Sequence, residues 1–215
     1  MYDHYTIVYG GVDETTGEAL YQGYYDTRKG TFMEELPNNE FNYIPSLHQW
    51  VLQQEEEGVE NPMQYVADTM IVDRGNAAMQ YVGKSYLPDL SGGIGFDLDV
   101  YGVTLSVACS YQIGGYGYDY TYMTLMANGP VGGHNWHVDM RSAWTENNRQ
   151  TNVPRLSNGN GEFDSYANAG STRFLTSNSF FSLNSIQLGY NFPKKLIEKI
   201  KLNRLHFYVS ADNLA

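Results

Sequence analysis

Residues 95–120, GFDLDVYGVTLSVACSYQIGGYGYDY, carry the sharpest pattern in the chain. Phe96, Leu98 and Val100 alternate with Asp97 and Asp99. Beyond Tyr101-Gly102, Val103, Leu105, Val107, Cys109, Tyr111 and Ile113 alternate with Thr104, Ser106, Ala108, Ser110 and Gln112. Period two on both sides of a Tyr-Gly pair predicts a β-hairpin with one apolar and one polar face. Alternation returns over residues 172–192, where Phe181 and Leu183 share one parity and Ile186, Leu188, Tyr190 and Phe192 share the other. A change of parity at Asn184-Ser185 is what a β-bulge produces. Pro193 stops that strand, and KKLIEKI supplies about two turns of helix. In the last strand Leu205, Phe207 and Val209 alternate with Arg204, His206, Tyr208 and Ser210.

The first half is patterned less strongly. Residues 5–26 read as a hairpin, two β-prone runs flanking DETTG, whose Asp and Gly supply turn chemistry. Residues 46–57, SLHQWVLQQEEE, are the best helix candidate. Ser46 with Gln49 three residues on fits a capping box, and Gly58 ends the run. Residues 63–82 read as mixed short helix and strand. Residues 114–171 are rich in Gly, Asn, Tyr and Ser, with no sustained period, and read as one long loop. Loops of that length are uncommon in compact domains unless they are functional.

The four late strands are thus joined by two short connections and one long one. Outer-membrane barrels show this asymmetry, with short turns on one side and long loops on the other. The strands are close to the roughly 9–11 residues that cross a bilayer. Tyr111, Tyr190 and Phe192 stand near strand ends, where an aromatic girdle would lie. Soluble sandwiches alternate too, so the pattern leaves open whether the apolar face meets lipid or a protein core.

Composition narrows the choice of partner more than the choice of fold. Aromatic residues make up 14%, with 19 Tyr, alongside 22 Gly and only 17% charged residues. That mix suits strands and polar loops rather than a helical bundle. A net charge of −11 excludes a nucleic-acid partner, because nothing here could neutralise a phosphate backbone. The short basic stretch 193–204 does not change that. The single cysteine, Cys109, allows no internal disulfide and reads as a small apolar-face side chain. No run approaches the ~18 apolar residues of a membrane helix, and MYDHYTIVYGG has neither the basic nor the apolar region of a signal peptide.

The candidate chemistry is sparse. Asp97 and Asp99 share a strand face and read as hydrated residues rather than a metal or acid–base pair. GGHNWHVD places His134, His137 and Asp139 close together, but zinc needs three or four ligands on a rigid frame. GGYGYDY does not join a strand to a helix N-terminus, so it is no phosphate cradle. No G-x-S-x-G nucleophile signature appears. The chain is expected to be no enzyme, with no cofactor and no bound metal. Tyr116, Tyr118, Tyr120 and Trp136 are the residues best suited to stack on a sugar or peptide, and Tyr122 shares their loop.

Three stretches together resemble a known family: VGKSYLPDLSGGIGFDLDVYGVTLSV, AWTENNRQTNVPRL, and STRFLTSNSFFSLNSIQLGYNFPKKLIEKIKLNRLHFYVSADNLA. They are similar to the C-terminal region of SusC/RagA-family TonB-linked outer-membrane transporters of Bacteroidetes. Leu90, Val103, Trp144, Thr145, Pro154, Arg155, Leu188 to Asn191 and Pro193 fall where that pattern expects them, and the place of Trp144 in it implies structural packing. GVDETTGEALYQ resembles another family segment near its start. Val103-Thr104 replaces the usual Phe-Asp after Gly102, and Ala215 stands where a large apolar residue is usual.

The resemblance implies an all-β fold, a partial antiparallel transmembrane β-barrel with long extracellular loops. Residues 1–90 would form an extracellular loop region with a hairpin and short helix. Residues 91–215 would supply about four barrel strands, with the loop at 114–171 outside. Phe96, Leu98, Val103, Leu105, Val107 and Ile113 would face lipid; Asp97, Asp99, Thr104, Ser106 and Gln112 would face the lumen. Such barrels have about 22 strands, so four strands would form part of the wall of a TonB-dependent importer of nutrient oligomers. Glycan oligosaccharides are the first expectation and oligopeptides the second. The implied partners are a SusD-like surface lipoprotein, outer-membrane lipid, and the TonB complex acting through a plug that these residues do not include. The alternatives are a surface-exposed or secreted β-rich carbohydrate-binding module and a glycan hydrolase, which would need a carboxylate pair across a cleft.

Overall fold

The computed structural model describes residues 2–72, 74–126, 135–156 and 170–214. The first strands are β1 (Asp3–Ile7), β2 (Tyr9–Val12) and β3 (Ala19–Asp26), followed by helix α1 (Leu47–Glu56), β4 (Val66–Ile71) and β5 (Met79–Ser85). Next come β6 (Pro88–Val100), β7 (Val103–Gly114), β8 (Tyr116–Tyr118) and the short helix α2 (Tyr120–Leu125). The last elements are β9 (Leu175–Ser177), β10 (Phe180–Asn191), helix α3 (Lys194–Ile197) and β11 (His206–Asp212). The chain divides into two units, residues 1–84 with 117–176, and residues 85–116 with 177–215. Among the described residues no helix is long and apolar enough to cross a membrane, which says nothing about crossing by strands.

In the first unit β2, β3 and β4 form an antiparallel sheet in that order. The predicted hairpin turn at DETTG joins β2 to β3. Strand β1, with residues 5–7 predicted as part of the same hairpin arm, pairs with β5 instead. This partner comes from about the eightieth residue of the chain, and local periodicity does not register so distant a pairing. The helix over 46–57 forms nearly as predicted, with Ser46 Oγ accepting from the Gln49 amide at 3.3 Å. Gly58, at φ +83°, follows its end. Among the described residues two small cores hold the unit. Ile7, Tyr21 and Ala77 pack with Tyr9, Ala19 and Ile71; Met126, Met140 and Phe174 pack with Tyr118, Tyr122, Met123 and Val153. The stretch read as one long loop therefore supplies most of a core that Phe174 completes, built from apolar residues too irregularly spaced to show a period.

The second unit is a four-stranded sheet in the order β6-β7-β10-β11, each strand antiparallel to its neighbours. Tyr101 (φ +52°) and Gly102 (φ +88°) make the two-residue turn between β6 and β7, the left-handed pair that matches the twist of a hairpin. The predicted bulge is present: Leu183 faces Cys109 and Ser185 faces Ala108, leaving Asn184 as the extra residue. Ser110 Oγ donates to Asn184 Oδ1 at 3.0 Å. The bulge restores parity, so that Leu183 and Ile186 share a face. Register then aligns apolar rows across the sheet, Leu98–Leu105–Leu188–Val209 and Phe96–Val107–Ile186–Ala211. Among the described residues nothing covers that face. Phe181, Phe207 and Val209 are 66%, 64% and 61% exposed, and no apolar side chain of the four strands is buried. The sheet does not close on itself.

Candidate functional site

The polar face of the four-stranded sheet carries Asp97, Asp99, Thr104, Ser106 and Gln112, the five residues expected to face a lumen. Asp97 lies opposite Ser106, Asp99 opposite Thr104, and Gln112 opposite Ser91. Ser106 Oγ donates to Asp97 Oδ1 at 2.6 Å, and Gln112 Nε2 donates to the Asn178 carbonyl at 3.1 Å. Register carries the polar row on through Gln187 to Ser210. These are short, neutral or singly charged groups along an open surface. Among the described residues no three His, Cys, Asp or Glu side chains are grouped to hold a metal.

The aromatic residues of 116–136 do not form one platform. Tyr116 and Tyr118 are half-buried. The Tyr118 hydroxyl donates to Thr6 Oγ1 at 2.7 Å, and its ring meets His4 edge-on at 5.4 Å. Tyr120 is exposed and sits 6.0 Å from Tyr118, tilted against it. Trp136 is also exposed and joins neither ring. Tyr122 is more constrained: its hydroxyl donates to Asp139 Oδ2 at 2.8 Å and its ring lies edge-on to His137 at 4.8 Å. Burial, then the hydrogen bond to Asp139, raises the Tyr122 pKa. His137 Nδ1 accepts from the Asp139 amide at 3.2 Å. His134 lies outside the described residues.

Two of the sequence motifs meet in space. Asp13 Oδ1 accepts from the amides of Thr15 (2.7 Å) and Thr16 (2.9 Å), and these bonds hold its carboxyl below the ordinary value. The turn ends at Gly17, φ +75°, where a Cβ would lie 2.5 Å from the Trp144 ring. Trp144 Nε1 donates to the Glu14 carbonyl at 3.1 Å, and the Arg155 amide donates to the Gly17 carbonyl at 2.8 Å. Arg155 also pairs with Glu18 at 2.8 Å. The W-T-x-x-N…P-R stretch is thus a clamp on the D-E-T-T-G turn.

Two arginines escaped the sequence analysis, for neither carries a signal beyond aromatic neighbours. Arg28 lies over Tyr65 (4.5 Å) and Trp50 (5.8 Å), donates to both oxygens of Asp26 at 2.6–3.2 Å, and reaches Gln54. Burial pushes the Asp26 carboxyl up, but the Arg28 hydrogen bonds outweigh it and hold the group below its ordinary pKa. Arg173 lies over Tyr9 (5.3 Å) and Phe174 (5.0 Å). Burial lowers its pKa and pushes that of Tyr9 up to about 12.

No family model matches the chain. Over 127 residues it is 28% identical to the TonB-dependent receptor P3 of Formosa agariphila, covering 59% of this chain and 12% of that protein. Its fold matches the RagAB peptide transporter at a TM-score of 0.65 and 20% identity, covering 99% of this chain and 19% of that one. The RagAB peptide importer in its closed-closed state gives 0.62 at 21% identity, over 98% and 19%. The chain spans only a small part of each relative's own length. Sequence and fold thus point the same way: the chain is similar in sequence to a TonB-dependent receptor and shares the fold of part of the RagAB peptide transporter.

Proposed function

We propose that this chain works in the outer membrane as part of a TonB-linked importer of nutrient oligomers, with β6, β7, β10 and β11 as adjacent staves of the barrel wall. The observation that carries this reading is the uncovered apolar face, unbroken across four strands. Soluble monomers rarely expose contiguous apolar surface beyond a few hundred Å². Lipid makes that face the favoured state, and the opposite polar face suits a wet lumen. Lipid also tolerates no unpaired backbone, so the outer edges of β6 and β11 require further strands and a closed barrel.

On this reading the other unit supplies surfaces for ligand and for a SusD-like lipoprotein, and TonB acts through a plug outside these residues. The family resemblance favours glycan oligosaccharides; the RagAB peptide transporter gives oligopeptides equal standing. A secreted carbohydrate-binding module would need its apolar face buried, and nothing covers it among the described residues.

The single thiol provides the test. Cys109 lies on the apolar face and Ser110 on the polar one. In the protein held in its native membrane, a fluorophore on Cys109 should be quenched by nitroxide-labelled lipid. The same label on a Cys109→Ser/Ser110→Cys variant should respond to aqueous quencher instead. Equal aqueous quenching at both positions would reject a lipid-facing wall.

A further inference from the structure

We propose that Arg173 is a ligand-binding residue whose guanidinium, held between Tyr9 and Phe174, takes a carboxylate of the imported oligomer. The inference rests on the importer reading and narrows its substrate class.

The contrast with Arg28 carries it. Both arginines lie against two aromatic rings, so both gain the attraction between a cation and a ring face. Arg28 spends its donors on Asp26 and Gln54. Arg173 has no hydrogen bond or ion pair to any carboxylate, amide or carbonyl among the described residues. The charged and titratable groups that act on it are the phenols of Tyr9, Tyr122 and Tyr21, with no acid among them. Those phenols are themselves engaged or protonated: Tyr9 donates to the Asn152 carbonyl at 3.0 Å and Tyr122 to Asp139. A guanidinium remains charged at neutral pH, and a desolvated charge without a counter-ion is costly unless something pairs with it.

The rings hold the planar group in place while its donor edge keeps its five N–H bonds. Arg173 is half-buried rather than sealed. A carboxylate matches it with two parallel, charge-assisted hydrogen bonds. The carboxylate could come from a peptide terminus or acidic side chain, or from a uronic-acid sugar.

The test uses the intact transporter purified from its native membrane in detergent. Binding of a tetrapeptide with a free C-terminus is compared with its amide, and an oligogalacturonate with a neutral oligosaccharide of equal length. The unaltered protein should bind one carboxylate probe about ten- to a hundredfold tighter than its neutral counterpart, the range of a charge-assisted bond. The pair showing the preference identifies the source. Arg173→Met keeps the side chain's bulk between the rings and should erase that preference. Arg173→Lys should recover part of it. Equal affinity for charged and neutral probes, a preference that survives Arg173→Met, or no binding of any carboxylate probe overturns the proposal. Uptake of the same oligomers by cells carrying the unaltered gene separates the two claims. Uptake without charge preference defeats only the role of Arg173, whereas no uptake of any oligomer defeats the importer reading beneath it.

Discussion

In the sheet of β6, β7, β10 and β11, Phe, Leu and Val stand in ordered rows on an open face. In the other unit Ile7, Tyr21, Met126 and Phe174 are closed off from solvent. The residue types are the same; what differs is the medium each fold assumes. The first sheet is specified by register, a two-residue turn and a bulge, all local devices, and leaves its apolar surface to be satisfied from outside. The other unit satisfies its own apolar groups through small cores, and ties distant stretches together by hydrogen bonds such as Trp144 to Glu14. Alternation therefore states which residues share a face and is silent about what the face touches.

That contrast can be broken at several points. The largest effect is expected in the self-contained unit, where Phe174→Ala should cost about 3–5 kcal/mol because the surrounding core cannot fully collapse. Thermal or denaturant unfolding of the assembled protein, followed by Trp144 fluorescence, reads it. Phe181→Ala on the open face should cost far less in detergent. Comparable losses would mean that the open face is in fact packed.

Next is the opposite substitution. Leu188→Lys, at the middle of the apolar rows, should destabilise the membrane-held protein by about 2–4 kcal/mol, the cost of a cation near the bilayer midplane. Gln187→Lys, one residue away on the polar face, should be nearly neutral. Folding into lipid vesicles, scored by heat-modifiable mobility, gives the comparison, and equal penalties would contradict a two-faced wall.

A smaller loss should follow Gly17→Ala, roughly 1–3 kcal/mol, from a positive φ and a methyl driven into the Trp144 ring. Trp144→Ala in the same background should remove the steric part of that loss. Additive losses in the double variant would show that the clamp is not what constrains the turn.

The smallest effect is linked to pH. Asp26 has a folded pKa below its ordinary 3.8, so its contribution is complete above that value and fades as pH falls through the lowered one. Asp26→Asn should be less stable than the parent at pH 7, and the gap should narrow towards pH 2–3 in paired thermal melts. A gap that widens in acid would reverse the assigned sign.

Much of the sheet was legible in the chain because its determinants are local. Two-residue parity gives the faces of β6 and β7, the left-handed Tyr101-Gly102 pair gives the turn, and the parity switch gives the bulge at Asn184. The capped helix α1 was legible for the same reason. The residues between 114 and 171 were not, since Met126, Met140 and Phe174 make a core without any repeating interval. Trp144 was expected to pack, but its partner was not nameable, because Gly17 lies more than a hundred residues away. Arg28 and Arg173 carried no distinguishing mark at all.

Spacing along the chain thus decided the strands, their faces and the family likeness, since a side chain's direction depends on its neighbours two to four positions away. Tertiary structure decided that β1 joins β5, that Trp144 grips the turn at Gly17, and that Arg28 meets a carboxylate while Arg173, among the described residues, lies over two rings without one. Charge pairing and ring contact act over a few ångströms in space, a distance unrelated to separation along the chain.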